Sequence, residues 1–309
     1  MSDSRYRIRS FRPEDFNGCL RLNVEAENQD GTGRFLSVSA LGEHLNRPNY
    51  LPGIYSFVAE EDGRIVGYAE VTPELGIERV IVDCLVHPGH RRKGLATELS
   101  LALLARTREL RARLVHANVA EENTAARGLL DKLRFKIVRR YLEMVLQLPV
   151  TLGTDADRIA GLCRHLRHGE EGRLTQVQNR AFAGSWGFAP NSVEETVYRL
   201  SLSHTSPTDV ILAIEGDQAI GYCWTDVNPE ADARGSRRGR ICMLGVVPEH
   251  RGRGVGRLLL MAGLAHLEGR GVDIVDLTVD SQNISACAIY EAVGFEVSST
   301  SLWYERELH

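Results

Sequence analysis

The sequence predicts an α/β fold (α+β, with a mixed sheet) arranged as two tandem copies of one domain. A ten-residue segment that begins at His87 is echoed by a segment that begins at Val247. Three of its positions recur 160 residues later: Pro88 as Pro248, Arg91 as Arg251 and Gly94 as Gly254. In each copy an apolar strand precedes the segment and an apolar-faced helix follows it. Such a long common register indicates an internal repeat.

The length and net charge of the chain limit the number of domains and the kinds of partner that the protein can have. Its 309 residues allow two ordinary domains, which we place at 1–150 and 158–309 with a linker at 149–157. The net charge of −4 offers no general attraction for nucleic acid or anionic membrane. The N-terminus lacks a signal-peptide core, and the apolar stretch 258–267 is too short to span a bilayer. We expect a cytoplasmic monomer or homodimer without nucleic-acid or membrane partners.

The first copy predicts strands and helices in a regular order. They are a strand (6–11), a helix (16–26), a hairpin of two strands (55–60 and 65–71) and a central strand (80–86). Pro13 marks the helix start, and Glu61-Asp62-Gly63-Arg64 has the composition of a hairpin turn. Residues 80–86 are almost continuously apolar, which is typical of a strand covered on both faces. The helix behind them places Leu95 and Leu99 on one face.

The second copy follows the same plan with one difference. It predicts a strand (163–166) and a hairpin (211–214 and 219–225). Gly67 lies 21 residues before Pro88, whereas Gly221 lies 27 residues before Pro248. The six extra residues fall within 228–239, whose polar, Gly- and Arg-rich composition predicts a loop. This loop is either a solvated connection or part of a functional site.

The cysteines predict neither a disulfide framework nor a metal site. They show no CxxC pair and no ligand-like spacing with histidine. We expect all six to be buried free thiols: Cys19, Cys84, Cys163, Cys223, Cys242 and Cys287.

The repeated segment has the composition of an anion site. A glycine-rich turn that opens a helix gathers free N–H groups where the helix dipole is positive. Side chains at Gly252, Gly254 and Gly256 would block the approach of a phosphate, and Arg251 and Arg253 add positive charge. The spacing differs from both the dinucleotide fingerprint and the P-loop. A nucleotide diphosphate remains a good fit.

These residues resemble the GNAT superfamily of acyl-CoA N-acyltransferases, over nearly the whole chain, as two tandem GNAT domains. The resemblance implies that each Arg-x-x-Gly-x-Gly/Ala turn binds the pyrophosphate of acetyl-CoA, the co-substrate. The binding residues so implied are, in the second copy, Val246, Val247, Arg251, Gly252, Arg253, Gly254, Val255, Gly256 and Asn283 and, in the first, Val86, Arg91, Arg92, Lys93, Gly94, Leu95 and Ala96. The resemblance also implies one gap for the pantetheine arm in each copy. In the first copy strand 80–86 splays apart from strand 114–119, and in the second copy strand 241–246 splays apart from strand 274–279.

The segment from Asn283 to Phe295 matches the family pattern Asn-x-x-Ala-x-x-x-Tyr-x-x-x-Gly-Phe. On a helix, Asn283 and Tyr290 share one face roughly 10 Å apart. Tyr290 occupies the position of the family's usual general acid, and a tyrosine can protonate a leaving thiolate. Alternatively, Asn283 is an N-cap and Tyr290 a core aromatic. The first copy has Leu130 at the tyrosine position, so that domain either binds acetyl-CoA without turnover or is a structural repeat.

The attacking amine must lose a proton, so a base is expected. Among tandem GNAT proteins the chain is most similar to mycothiol synthase and its relatives, for instance in residues 178–184. In that group the base is a glutamate at the start of the strand before Val-x-Pro, where this chain has Arg240. A cation cannot act as base; it would repel an ammonium substrate or attract a carboxylate one.

Other residues near this point of the sequence are candidates for the acceptor site. Asp226, Glu230 and Asp232 are each either a substitute base or a surface carboxylate, and a water-relayed base is the other alternative. Trp186 and Phe188 lie where the family forms its acceptor wall, so they either contact substrate or fill the core.

The predicted function is transfer of acetyl from acetyl-CoA to a primary amine of a small molecule or peptide by direct attack, in the second copy. Backbone amides at a bulge at Val246 would polarise the thioester, and Tyr290 would protonate the sulfur. The alternatives are a mycothiol-synthase-like acetylation of a cysteinyl pseudo-disaccharide and a non-catalytic acyl-CoA-binding protein. The acceptor itself is not predicted, because specificity lies in loops.

Overall fold

The computed structural model describes residues 5–31, 36–150, 155–231 and 235–308. These residues form twelve strands: β1 (Arg7–Ser10), β2 (Ser56–Glu61), β3 (Arg64–Glu74), β4 (Arg79–Val86), β5 (Leu114–Ala120), β6 (Lys136–Gln147), β7 (Cys163–His165), β8 (Val210–Glu215), β9 (Gln218–Ala231), β10 (Arg237–Val246), β11 (Ile274–Asp280) and β12 (Glu296–Glu307). The α-helices are α1 (Phe16–Asp30), α2 (Val38–Leu45), α3 (Pro52–Tyr55), α4 (Leu95–Glu109), α5 (Thr124–Lys132), α6 (Asp155–Leu162), α7 (Glu171–Phe182), α8 (Val193–Leu200), α9 (Val255–Gly269) and α10 (Ile284–Val293).

The chain divides into two compact units: unit 1 is Met1–Arg140 with Ser301–His309, and unit 2 is Tyr141–Thr300. In unit 1 the strand order is β1-β2-β3-β4-β5-β12, and only the β4–β5 pair is parallel. Leu22 of α1 and Leu41 of α2 belong to one apolar core of this unit, and Leu99 and Leu103 of α4 belong to another. Unit 1 is therefore a sheet with helices on both faces.

Unit 2 repeats this plan. Its strand order is β6-β11-β10-β9-β8-β7, and only β10–β11 is parallel. Its core is larger and includes Leu259 and Leu264 of α9 together with Met144 of β6, all fully buried. The α/β fold with two tandem domains and mixed sheets, predicted from the repeat, is confirmed.

The compact units do not coincide with the sequence repeats. Residues 141–147 of β6 end the first repeat but pair with β11 in unit 2, from Tyr141 opposite Asp280 to Gln147 opposite Ile274. Residues 301–307 of β12 end the second repeat but pair with β5 in unit 1. Both repeats end in similar strands at the same spacing, so the hydrophobic pattern does not specify which sheet each final strand joins.

The extra segment of the second copy is mostly strand, and the predicted loop at 228–239 is wrong in this respect. Residues 228–231 end β9 and residues 237–239 begin β10, with Arg237 opposite Ala231. The extra residues therefore lengthen a hairpin, because antiparallel pairing overrides the turn-like composition. In the predicted linker, residues 155–157 begin α6, and residues 151–154 lie outside the described residues.

Two expectations about composition can be compared with the structure. Within the described ranges, no helix has both the length and the apolarity needed to cross a bilayer. All six cysteines are free thiols, but the expectation that all are buried is wrong: Cys19, Cys223 and Cys287 are buried, Cys84 and Cys163 are half-buried, and Cys242 is exposed. The ladder between β9 and β10 shifts register between Ile241 and Met243, so Cys242 is the bulged residue.

Candidate active site

The glycine-rich turn of unit 2 has the geometry of an anion site. β10 ends at Val246, and after a short 3-10 turn the exposed residues 251–254 lead into α9 at Val255. Gly252 and Gly254 have φ of +74° and +80°, the left-handed region that favours glycine. The N–H groups of the first turn of α9 lie just beyond this turn, at the positive end of the helix dipole.

The side chains around the turn have mostly structural roles. The Arg251 guanidinium donates from Nε to the Val246 carbonyl at 3.1 Å and from Nη2 to the Ala181 carbonyl at 2.7 Å, so it ties the turn to β10 and α7. Arg253 is exposed, whereas Val255 is buried at the helix start. A Cβ at Gly256 would lie 3.7 Å from Val246 Cγ2, an ordinary contact, so that position has room for alanine.

A gap opens between β10 and β11 below this turn. Their parallel pairing runs only from Arg238 to Ile241, opposite residues 274–277, so the splay implied by the family resemblance is present. Val247 donates its N–H to the Ile220 carbonyl at 2.9 Å across the β9–β10 ladder. Because amides alternate between the two edges of an antiparallel strand, those of Leu244 and Val246 are directed toward the gap.

This arrangement corrects two details of the predicted site. The bulge expected at Val246 is at Cys242 instead, and Val246 stays in register opposite Gly221. Val247 has its N–H committed to the ladder and its side chain buried, so it offers a cofactor no amide. The two amides that face the gap are therefore those of Leu244 and Val246.

Tyr290 lies on α10 with only 7% of its surface exposed, and its ring packs edge-on against Phe295 at a centroid distance of 5.8 Å. Burial raises the pKa of Tyr290, so its hydroxyl keeps its proton at neutral pH. Asn283 is the N-cap of α10, where its Oδ1 accepts from the Ala286 N–H at 3.2 Å. The N-cap alternative for Asn283 is thus realised in the structure.

A polar cluster occupies the sheet face beside the gap, centred on Arg240. Its Nη1 lies 2.5 Å from Asp276 Oδ1, its Nη2 lies 3.5 Å from Glu143 Oε2, and it also contacts the hydroxyl of Thr278. Thr278 in turn donates to the Glu143 carboxylate at 2.9 Å. The positive charge at the position expected for a base is therefore balanced by two carboxylates.

Asp226 lies directly opposite Arg240 in the β9–β10 ladder. Its Oδ1 is buried and makes no hydrogen bond, and its Oδ2 lies 3.4 Å from His204 Nε2. Burial raises the pKa of Asp226 in spite of the opposing charge of His204. Of the other two substitute carboxylates, the side chain of Glu230 and the whole of Asp232 lie outside the described residues.

The two aromatic residues of the predicted acceptor wall are half-buried. Trp186 packs against Tyr141 with ring centroids 6.3 Å apart. Phe188 stacks on Phe182 of α7 at 5.7 Å, and Phe182 packs in turn against Tyr222 of β9. Phe188 therefore serves at least as packing between α7 and the loop that follows it.

Unit 1 keeps the turn with altered contacts. The Arg91 Nε donates to the Val86 carbonyl at 3.1 Å, and its two Nη atoms pair with the Asp30 carboxylate at 2.6 and 2.7 Å. Arg92 has a φ of +62° at the position of Gly252, a conformation that costs a non-glycine residue about 1 kcal/mol. Lys93 donates to the Gly89 carbonyl at 2.7 Å.

The rest of the unit 1 turn resembles its counterpart in unit 2. Gly94 has a φ of +88°, Leu95 is buried at the start of α4, and Ala96 stands where unit 2 has Gly256. The β4–β5 pairing ends at Ile81, so this unit has a gap too. Asn123 caps α5 through the Ala126 N–H at 3.0 Å, as Asn283 caps α10.

The reactive end of the gap differs between the units. The Cys84 N–H, at the position of Leu244, donates to the Asp83 Oδ1 at 2.7 Å. Leu130, at the position of Tyr290, is buried and offers no proton. Unit 1 therefore has the turn and the gap, but one amide is already bonded and the acid is missing.

Sequence reasoning missed several of these partners. Asp276 and Thr278 alternate along β11 and so share the face of Arg240, a period-two signal that was visible in the sequence. Glu143 and His204 had no such signal, because strand pairing and the loop after α8 bring them there from distant parts of the chain.

A glycine turn at a helix start, above a gap between two parallel strands of a mixed sheet, defines a transferase of the acyl-CoA-dependent class. Residues 20–135 and 173–295 both match the Acetyltransferase (GNAT) family, and the chain belongs to this family as an enzyme with two GNAT domains in tandem.

Known relatives agree with this assignment. The mycothiol acetyltransferase of Stackebrandtia nassauensis is 33% identical over 83% of this chain and 84% of its own length. The mycothiol acetyltransferase of Streptomyces coelicolor is 29% identical over 97% of this chain and 94% of its own length. The crystal structure of a GCN5-related N-acetyltransferase from Sphaerobacter thermophilus matches with a TM-score of 0.74 at 22% identity, over 99% of this chain and 97% of the other, which shows the shared fold.

Proposed function

We propose that unit 2 transfers an acetyl group from acetyl-CoA to a primary amine by direct attack, and that unit 1 does not turn over. The observation that carries this proposal is the gap between β10 and β11, toward which the amides of Leu244 and Val246 are directed. Because a strand rises about 3.4 Å per residue, these two N–H groups lie about 7 Å apart, so one of them suits the developing negative charge of the thioester carbonyl and the other a polar group further along the bound co-substrate. In unit 1 the amide equivalent to that of Leu244 is already bonded to Asp83.

The residues of unit 2 fit acetyl-CoA. Gly252 and Gly254 keep the surface of the turn free of side chains, and the first turn of α9 presents amides to a pyrophosphate. Acetyl-CoA supplies the activated acetyl group when it is bound. The protein holds it by backbone groups, while Arg251 braces the turn against α7 rather than serving as the main phosphate ligand.

Two side chains supply the proton transfers. Asp226 is the base that we favour, because burial and an unsatisfied Oδ1 raise its affinity for a proton, and it lies opposite the position where the group resembling this chain has glutamate. It takes a proton from the ammonium group of the acceptor, directly or through a water, so that the neutral amine can attack the thioester carbon. Tyr290, protonated at neutral pH, gives a proton to the departing sulfur.

In a second candidate function, the amine that receives the acetyl group belongs to a cysteinyl pseudo-disaccharide. It is favoured by the two mycothiol acetyltransferases at 33% and 29% identity, which cover most of this chain. The cluster around Arg240 weighs against this candidate, since the expected glutamate is replaced by an arginine that two carboxylates hold.

CoA release from acetyl-CoA with a panel of small amines, amino sugars, cysteinyl sugars and peptides tests the proposal. We expect release that depends on a primary amine, with the N-acetyl product identified by mass spectrometry. Release confined to cysteinyl sugars would select the second candidate. Tight binding of acetyl-CoA with no release for any amine would contradict the proposal.

A further inference from the structure

Three arginines of unit 1 lie together where α4, α5 and β12 end. Arg306 of β12 donates from Nη1 to the Leu133 carbonyl at 2.8 Å, and Arg134 follows Leu133 in the chain. A backbone hydrogen bond of 2.9 Å joins the end of β12 to the segment that follows α4, and Arg108 lies in the last turn of α4. We call Arg108, Arg134 and Arg306 the arginine cluster.

The positive charges of the arginine cluster repel one another. Burial and the charges of Arg108 and Arg134 lower the pKa of Arg306, which is half-buried. In the part of the chain that the structure describes, none of the three guanidinium groups pairs with a carboxylate. Glu109, next to Arg108 in the chain, is bonded to Arg106 at 2.6 Å. The C-terminal dipoles of α4 and α5 offset only part of this repulsion. The exposed guanidinium groups of Arg108 and Arg134 are therefore available to an anion.

Unit 2 shows that the fold does not require this cluster. At the three equivalent positions, unit 2 has Glu268, Gly294 and Leu146. The equivalence holds in space, because Leu146 lies opposite Val275 in the sheet of unit 2 and Arg306 lies opposite Val115 in that of unit 1. A single acidic, a flexible and an apolar residue thus replace three cations. The arginine cluster is specific to unit 1.

The backbone of Arg134 is also in an unfavourable conformation. Its φ of +62° lies in the left-handed region that favours glycine, and Gly294 at the same position of unit 2 has a φ of +107°. Arg134 therefore combines an unfavourable φ with like-charged neighbours. Strain that persists at one place in a structure is typical of a binding or catalytic site.

We propose that the arginine cluster binds a small molecule through a phosphate or diphosphate group. A planar guanidinium group presents paired N–H donors that match phosphate oxygens, and a bound dianion would remove the repulsion between the cations. The net charge of −4 disfavours a long anionic polymer, so a small phosphate fits better than a nucleic acid. Arg108 lies about 20 Å along α4 from the glycine turn at its start, so this site is separate from that turn. It is also independent of the reaction proposed for unit 2.

Calorimetric titration of the full chain at pH 7.5 and low salt tests this proposal. The probes are inorganic pyrophosphate and glycerol 3-phosphate, and glycerol is the uncharged counterpart. We expect at least one phosphate to bind at least ten times more tightly than glycerol, with an affinity that falls as salt is added. Tighter binding of pyrophosphate indicates a diphosphate ligand, and tighter binding of glycerol 3-phosphate indicates a phosphate monoester. Arg134→Gly and Arg108→Glu, which introduce the side chains of unit 2, should each weaken this binding at least tenfold.

Arg111→Gly is the matched control. Arg111 is an exposed arginine of unit 1 with a φ of +56°, and unit 2 has Gly271 at its position. Both glycine variants should melt at or above the wild-type temperature, because each relieves a positive φ. Only Arg134→Gly should lose the phosphate, so loss of binding is separated from loss of folding.

Arg251→Ala distinguishes the arginine cluster from the glycine turn of unit 2, which is also expected to bind phosphate groups. Phosphate binding that is lost in Arg251→Ala but kept in Arg134→Gly would assign the ligand to the turn and overturn the proposal. Absence of binding of both phosphates to the wild-type chain would overturn it too. So would an equal loss of binding in Arg111→Gly and Arg134→Gly, since the effect would then not be specific to the cluster.

Discussion

The backbone N–H of Cys84 donates a 2.7 Å hydrogen bond to the side chain of its neighbour Asp83. In unit 2 the equivalent amide belongs to Leu244, and the residue before it is Met243, which has no carboxylate. In unit 1 the Asp83 side chain thus occupies the backbone N–H of Cys84. The equivalent N–H in unit 2, that of Leu244, is directed toward the gap. Together with Leu130 in place of Tyr290, this contact distinguishes unit 1, which we propose does not react, from unit 2, which we propose does.

Asp226→Asn should lower kcat by about 10²- to 10⁴-fold, the usual contribution of a general base. In the wild type, kcat/KM should fall as the pH decreases through the raised pKa of Asp226, because the protonated carboxyl cannot accept the proton of the amine. The variant should lack this acid limb. Asp276→Asn is the matched control, since that carboxylate lies on the same face but pairs with Arg240; if it removed the acid limb instead, Asp226 would not be the base.

The same variant should be more stable than the wild type at high pH. A carboxyl whose pKa is raised by folding stabilises the folded state below its unfolded pKa and loses that contribution as the pH rises through the folded pKa. The charged form of Asp226 is therefore the unfavourable one in the folded protein. Melting temperatures of Asp226→Asn and wild type at pH 8 and pH 5 should differ more at pH 8, with the variant higher. An equal difference in melting temperature at both pH values would argue against a raised pKa of the Asp226 carboxyl in the folded protein.

Gly252→Ala should destabilise unit 2 by about 1 kcal/mol, because the φ of +74° is unfavourable for a residue with a Cβ. It should also weaken acetyl-CoA binding by crowding the turn. Gly256→Ala is the control within the same turn, since its helical position has room for a Cβ and unit 1 has Ala96 there. Chemical denaturation and acetyl-CoA titration should separate the two variants; equal losses would mean that backbone conformation is not the reason for glycine at 252.

Arg251→Ala should raise the KM for acetyl-CoA by about tenfold, or 1.4 kcal/mol, with a smaller change in kcat. The reason is the loss of the contacts that hold the turn to the Ala181 and Val246 carbonyls. Arg91→Ala changes the matching residue in unit 1, where the partner is Asp30, and should leave the KM of the reaction unchanged. Steady-state kinetics of both variants check this prediction, and a larger effect for Arg91→Ala would assign the reaction to unit 1.

The parts of the fold that follow from local sequence were predictable. The turn glycines, the central strands and the N-caps at Asn123 and Asn283 depend on neighbours within a few residues. The strand exchange was not, because the choice of sheet for residues 141–147 and 301–307 depends on contacts between distant segments. For the same reason, two sets of contacts appear only in three dimensions. They are the pairing of Arg240 with Asp276 and Glu143 and the contact between His204 and Asp226.

The central claim, that unit 2 alone performs the transfer with Tyr290 as acid, is tested most directly by the turnover of Tyr290→Phe. This variant keeps the ring packing against Phe295 and removes only the hydroxyl. With saturating acetyl-CoA and an acceptor amine, kcat for CoA release should fall by at least 10²-fold while the affinity for acetyl-CoA stays the same. Leu130→Met, the matched change in unit 1, should leave kcat unchanged. Wild-type turnover in Tyr290→Phe would contradict the account.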